Sequence, residues 1–193
     1  MTRKIIFGEI SGIKEGQWFE KRTDMIPSSF HRNAGKGIDG NGKEGTAAIV
    51  LSGGYEDDED LGDKIIYTGA GGNDKTTKAQ TSDQTWDNHG NAGLVKSMNE
   101  GLPVRVIRGH KHKSTFSPSS GYEYAGLFSV VDAWVSIGKS GFKICRVELI
   151  YSGNNDQRKS IGQIELDHGA VSYTHLRAHE TDSYLVCRLL LEK

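Results

Sequence analysis

YAGLFSVVDAWVSIGKSGFKICRVELIY, residues 124–151, decides the fold. Residues 124–135 are rich in aromatic and β-branched side chains, which suit a pleated, half-buried surface, and they predict a strand. Both of its alternating faces carry apolar groups: Leu127 and Val131 on one, Phe128, Val130 and Trp134 on the other. Such a strand is expected to be covered on both sides. Residues 142–151 alternate more cleanly, with Cys145, Val147 and Leu149 pointing one way and Arg146 and Glu148 the other. Between the two runs, IGKSG at 137–141 supplies two glycines, so the pair is predicted to form a hairpin.

Working outward, further strands are expected over 46–51, 64–68 and 103–108. A helix is expected over 91–100, with Leu94, Val95 and Met98 on one stripe and Gly101 as its stop. Twenty-five glycines against three prolines favour tight turns and a β-dominated body over a helical bundle. Together these elements predict an α+β domain over residues 1–152, built on a curled sheet or barrel with short flanking helices.

Composition narrows the function classes. A formal charge of −1 gives no global basic signature, so any nucleic-acid binding must come from a local patch. Cys145 and Cys187 match neither a zinc spacing nor a disulfide framework, which points to a reducing, intracellular location: cytoplasm or nucleoid in a prokaryote, nucleus in a eukaryote. MTRKIIFGEI has too short an apolar stretch for a signal peptide. No run approaches the roughly 20 apolar residues of a membrane span, so a soluble protein with no membrane partner is expected. Residues 153–170, GNNDQRKSIGQIELDHGA, read as a linker toward a missing C-terminal domain. Residues 171–193 resemble a translated sequencing-adapter read-through and are expected to be non-native. The alternative is an ordinary helix, since YLVCRLLLEK holds good helix formers.

Two glycine-framed segments carry the chemistry, SGGYEDDED at 52–60 and YTGAGGND at 67–74. Each follows an apolar strand and sets a tyrosine beside a permissive backbone. An extruded nucleobase presents two π faces and one hydrogen-bonding edge. Two aromatic rings can sandwich the faces, at about 1–3 kcal/mol per stack. A carboxylate suits cytosine because its exocyclic amine donates, and glycines let backbone polar groups come close. The acidic run also offers hard oxygen ligands, but its spacing fits no calcium loop and no metal is expected. Glu59 and Asp60 are expected in a solvated turn.

At these residues the chain resembles the SRA (SET- and RING-associated, or YDG) domain family of 5-methylcytosine readers. The likeness begins at Phe7-Gly8-Glu9-Ile10 with Gly12, and runs through His31-Arg32, Gly37-Ile38, VLSGGYEDD at 50–58 and YTGAGGND at 67–74. It continues with Asp83-Gln84, PVRVIR at 103–108, residues 122–131 and KSGFKICR at 139–146. It implies a saddle-shaped β-barrel with short flanking helices. It also implies that Tyr55 and Tyr67 sandwich a flipped base, with Asp58 accepting from the cytosine amine. Thr68, Ser52, Gly53 and Gly54 would complete the polar edge and the small pocket, and the glycines of 69–72 its wall. The implied partner is double-stranded DNA carrying a modified cytosine, with no cofactor and no catalytic residue.

Backbone contacts must come from elsewhere. Arg105, Arg108, Lys111 and Lys113, with His110 and His112 nearby, form a basic cluster that reads equally as a phosphate-binding patch or as ordinary charged surface. Lys139, Lys143 and Arg146 adjoin it, and His31 and Arg32 lead toward a loop expected to enter the groove. That loop, NAGKG at 33–37, has Gly35 and Lys36 where animal hemimethylation readers carry a bulky wedge. The second loop, KTTKAQ at 75–80, is short and retains only Lys75 and Lys78. The modification itself is therefore expected to matter more than strand symmetry. Prokaryotic relatives often continue into an HNH nuclease, making such a chain the targeting half of a modification-dependent endonuclease. His168, His175 and His179 form no such nuclease motif, so no cleavage is expected of this chain, which is taken as a monomer.

Overall fold

The structure, a computed structural model, describes residues 3–74, 76–77 and 79–153. Lys75, Lys78 and everything assigned above to linker and tail from residue 154 onward lie outside the described residues. The strands in chain order are β1 (Trp18–Phe19), β2 (Ile38–Asn41), β3 (Gly45–Leu51), β4 (Glu59–Asp60), β5 (Lys64–Thr68), β6 (Val104–Gly109), β7 (Tyr122–Ile137) and β8 (Lys143–Tyr151). A single α-helix, α1 (His89–Glu100), precedes β6, and 3-10 turns cover Arg22–Met25 and His110–His112.

The expected hairpin is the spine of the sheet. β7 pairs with β6 through Tyr122–Phe128 and with β8 through Phe128–Ile137, so one 16-residue strand serves two partners in turn. Register shifts at Val106/Ile107 and at Val130/Asp132 stand on either side of the exchange at Phe128, where irregularities of this kind bend a strand. The sheet order is β2-β3-β6-β7-β8-β5-β4, with β1 added on β7. Only the β3–β6 ladder is parallel. The α+β class therefore stands, but the hydrogen-bonded sheet is curled and open, with β2 and β4 as edges.

Two apolar clusters occupy the faces of the sheet. Ile49, Leu51, Val106, Phe128, Val147 and Leu149 pack with Leu94 of α1, and Ala48, Val50, Ile107 and Tyr124 pack with Met25 and Phe30. β3 and β6 are buried along their whole length, as central strands covered on both faces should be, β6 with Arg105 and Arg108 inside it. β7 departs from expectation in its second half. Val131, Val135 and Ile137 are exposed, because the layers covering Tyr124–Phe128 do not reach the hairpin end.

α1 starts two residues before the predicted position, where the Asn88 side chain accepts from the Gly90 amide, and it stops at Gly101 with φ +64°. Its most buried positions include Asn91, Leu94 and Ser97 rather than the purely apolar stripe. Ser97 Oγ accepts from the Thr46 amide and donates to the Thr46 carbonyl, tying the helix to β3.

Candidate nucleic-acid interface

In the acidic run after β3 each carboxylate has its own partner. Glu56 accepts from the Ser140 hydroxyl at 2.6 Å. Asp57 accepts from the Lys139 amide at 3.0 Å, and Asp58 from the Thr68 amide at 2.8 Å. Glu59 pairs with Arg146 at 2.7 Å. Asp60 takes Arg108 through both oxygens at 2.8 and 2.9 Å, with Ser114 on Oδ2. The solvated turn expected for Glu59 and Asp60 is corrected for Asp60, whose side chain is 0% exposed and holds a buried cation, while the Glu59 side chain is 56% exposed. The β7–β8 turn, through Lys139 and Ser140, and β5, through Thr68, clamp this loop from two sides.

Tyr55, Asp58, Tyr67 and Thr68 meet at this place. The Tyr55 hydroxyl accepts from the Gly71 amide at 3.0 Å, and burial, with the nearby Asp58, raises its pKa above the ordinary phenol value against the pull of the Gly71 amide. Tyr67 is pushed well above that value by burial, then by Asp58 and Tyr55, so both rings stay neutral hydroxyls. Burial pushes the Asp58 carboxyl up to about 7. The Thr68 amide and hydroxyl and the Arg146 guanidinium pull it back, and Asp57 pushes it further up. Thr68 Oγ1 is buried and completes no hydrogen bond of ordinary geometry among the described residues. Tyr67 is 3% exposed and packs in the core cluster with Ile65, Val147 and Leu149. Tyr55 is half-buried and borders a cavity of about 320 Å³ shared with Gly53, Gly54, Gln80 and Ser140. Ser52 and Gly54 lie on the same loop. Gly53, at φ +70°, must be glycine, because a Cβ there would stand 2.4 Å from the Lys111 carbonyl oxygen.

The residues expected to touch the DNA backbone divide sharply. Arg105 is 0% exposed. It donates to the carbonyls of Phe30, Ile6 and Gly8 and lies over the Phe30 ring, strapping the N-terminal segment to β6. Arg108 is the buried partner of Asp60. His31 is 1% exposed. Burial, then Arg22, lower it to about 4, so it is a neutral core imidazole. Arg146 is buried against Glu59. These four are corrected from surface cations to internal supports. Arg32 is half-buried and bonded to Asp39 at 2.9 Å. Gly35, Lys36, Lys111, Lys113, Lys139 and Lys143 are exposed.

Several residues that support the site have no role assigned by the sequence: Asn91 and Arg22 stand in no motif, and Gln84 and Gly37 stand in motifs that assign them none. Gln84 donates to the carbonyls of Gly69 and Gly71 and accepts from the Cys145 amide. Asn91 binds both the amide and the carbonyl of Ala70 and the carbonyl of Thr85. The glycine loop beside Tyr67 is therefore held by two buried amide side chains. Arg22 donates to the carbonyls of Asn33 and Lys36, fixing the 33–37 loop from below. Gly37 leaves room for Tyr67: a Cβ there would lie 2.7 Å from the Tyr67 hydroxyl.

Comparison with known proteins gives these contacts a context. The family described as the SAD/SRA domain matches residues 6–156. A "UHRF1-like protein" of Cryptococcus neoformans is 41% identical over 173 residues, covering 84% of this chain and 50% of its own. Among solved structures, a "Modification dependent TagI restriction endonuclease" superposes with a TM-score of 0.76 at 47% identity, over 79% of this chain and 54% of that one. The "SUVH5 SRA bound to fully hydroxymethylated CG DNA" superposes with a TM-score of 0.66 at 33% identity, over 77% and 95%. The chain thus spans about half the length of the first two relatives and nearly all of an isolated SRA domain.

Proposed function

The chain belongs to the SAD/SRA domain family, and from that premise we propose that it binds duplex DNA carrying a 5-modified cytosine and takes that base out of the stack into a pocket formed by Tyr55, Asp58 and Tyr67. The observation that carries this reading is the meeting of two neutral phenol rings with one carboxyl whose only hydrogen bond of ordinary geometry among the described residues is to the Thr68 amide. In this mechanism the Asp58 carboxylate accepts the cytosine N4 amine, Thr68 and the backbone of Ser52, Gly53 and Gly54 bond the remaining edge, and the rings take the faces. Unstacking costs a few kcal/mol, and two stacks of about 1–3 kcal/mol each offset it. The Tyr67 face must be uncovered for the base to enter. The mobile part of that step is Tyr55, tethered to the glycine loop by one hydrogen bond and carried next to Gly53 and Gly54.

The deciding experiment compares otherwise identical duplexes with cytosine, 5-methylcytosine or 5-hydroxymethylcytosine at one position, using the wild type and Tyr55→Ala, Asp58→Ala and Tyr67→Ala. Wild type is expected to prefer the modified duplexes, and Tyr55→Ala to lose that preference while staying folded. Equal affinity of the wild type for all three duplexes would end the proposal. Hemi- and fully modified duplexes are expected to bind alike, because the 33–37 loop presents Gly35 and Lys36 rather than a bulky wedge.

The likeness to the TagI endonuclease over 54% of that chain favours a second, compatible reading. On that reading the chain is the targeting half of a modification-dependent nuclease and acts by binding alone. Incubation with methylated plasmid and magnesium or manganese is expected to leave the DNA intact; specific cuts would reverse this reading.

A further inference from the structure

We propose that Arg146 is a positioning residue of the pocket: from β8 it holds the Asp58 carboxylate ionised and in place as the acceptor for the base's exocyclic amine. The inference rests on the reading of Asp58 above and adds a residue that reading does not use. Arg146 is the register partner of Thr68 across the β5–β8 ladder, and the Thr68 amide is the group that binds Asp58 Oδ1. Cation and carboxylate are therefore fixed to the same rung of the sheet.

Arg146 is only 7% exposed. Among the described residues its one ion pair is with Glu59, whose side chain is 56% exposed. A carboxylate so open to water is well screened and neutralises a buried guanidinium incompletely. Arg146 Nε is buried without a hydrogen-bond partner among the described residues. The remaining field of the guanidinium falls on Asp58. The groups acting on Asp58 are Tyr55 and Asp57 from its own loop, Tyr67 and Thr68 from β5, and Arg146 from β8; Glu59 meets Arg146. Among them Arg146 is the single cation, so it is what opposes burial and Asp57. A protonated Asp58 places a hydrogen where the incoming amine needs a lone pair, and cytosine recognition then fails.

The test follows Asp58 itself before any DNA is added. The carboxyl carbon of Asp58 is titrated by NMR in the DNA-free full chain for wild type, Arg146→Met, Arg146→Lys and Glu59→Gln. Affinity for a 5-methylcytosine duplex is then measured from pH 6 to 9. Arg146→Met is expected to raise the Asp58 midpoint by about one unit and to weaken binding roughly fivefold at pH 7, with recovery toward wild type at pH 9. Arg146→Lys should keep most of the effect. Glu59→Gln leaves the guanidinium less neutralised and should move the midpoint the other way, which keeps the proposal testable if Arg146→Met does not fold. An Asp58 midpoint unmoved in folded Arg146 and Glu59 variants, or an affinity lost equally at every pH, would overturn it. Failure of the base-reading itself looks different: wild type would bind modified and unmodified duplexes alike while the Asp58 midpoint still shifted.

Discussion

Moving the Asp58 carboxyl out of water raises the cost of its charge, whereas a cytosine amine needs that charge in place. The conflict has a thermodynamic signature. With a folded-state value of about 7 against about 3.9 in the unfolded chain, the folded protein binds the extra proton between those limits. Stability therefore falls as pH rises from about 4 to 7 and stays low above. His31 works with the opposite sign: burial lowers it to about 4, so its contribution grows as pH rises from 4 to about 6.5 and is complete above. Asp58→Asn removes the first effect and leaves the second. It is expected to stabilise by on the order of 1 kcal/mol at pH 8, a rise in Tm of about 2–4 °C, with no gain at pH 4, while abolishing preference for modified cytosine. Thermal unfolding across pH checks this; an equal gain at pH 4 and pH 8 would refute it. Gly37 gives a second residue-level expectation. Gly37→Ala sets a methyl 2.7 Å from the Tyr67 hydroxyl and should cost about 1–3 kcal/mol. Tyr67→Phe, which removes the colliding atom, should restore most of that loss in urea titrations of the double variant.

Among the elements, the loop between β5 and α1 depends on side chains more than on ladders. Its residues 69–72 sit beside Tyr67, and Gln84 and Asn91 satisfy their amides and carbonyls. Asn91→Ala leaves the Ala70 amide and carbonyl without their partners, an expected cost of about 2–4 kcal/mol. Hydrogen exchange at the Ala70 amide should accelerate far more than exchange in β7; a uniform change across the sheet would place Asn91's role elsewhere. The same elements mark what the sequence makes legible. Tyr55, Asp58 and Tyr67 stand in two short motifs whose resemblance to the SRA family implied their grouping. Asn91 and Ser97 could not be read in this way, because a search for apolar periodicity takes a polar residue on a helix for its wet face. Here those two are buried, since loop and strand backbone next to α1 offers them donors and acceptors. Arg105 misled for a related reason. An arginine in an apolar strand reads as surface charge until its carbonyl partners, 75 to 99 residues away in the chain, are brought together by the fold.

Over the whole molecule, a net charge of −1 means that the proposed attraction to DNA must be local. Arg105 and Arg108 are spent on internal carbonyls and Asp60, and the open sheet keeps its buried cations out of reach of any phosphate. Among the described residues, exposed lysines near the pocket loop are Lys111, whose carbonyl abuts Gly53, and Lys139, which donates to the Glu56 carbonyl. Lys113 stands exposed two residues after Lys111. Neutralising a phosphate releases counterions, so each contributing lysine adds about 0.9 to the slope of log affinity against log salt. Lys111→Ala with Lys113→Ala is expected to reduce that slope by about 2 and to weaken modified and unmodified duplexes to the same degree. Arg108→Ala, by contrast, should cost about 3–5 kcal/mol of stability, because it leaves Asp60 charged and unpaired in the interior. In the fraction that stays folded, the salt slope should be unchanged. Affinities measured between 50 and 300 mM salt, beside urea unfolding of each variant, separate the two kinds of basic residue. If the double lysine variant keeps the wild-type slope, DNA approaches this protein by a face other than the one flanking the Tyr55 loop.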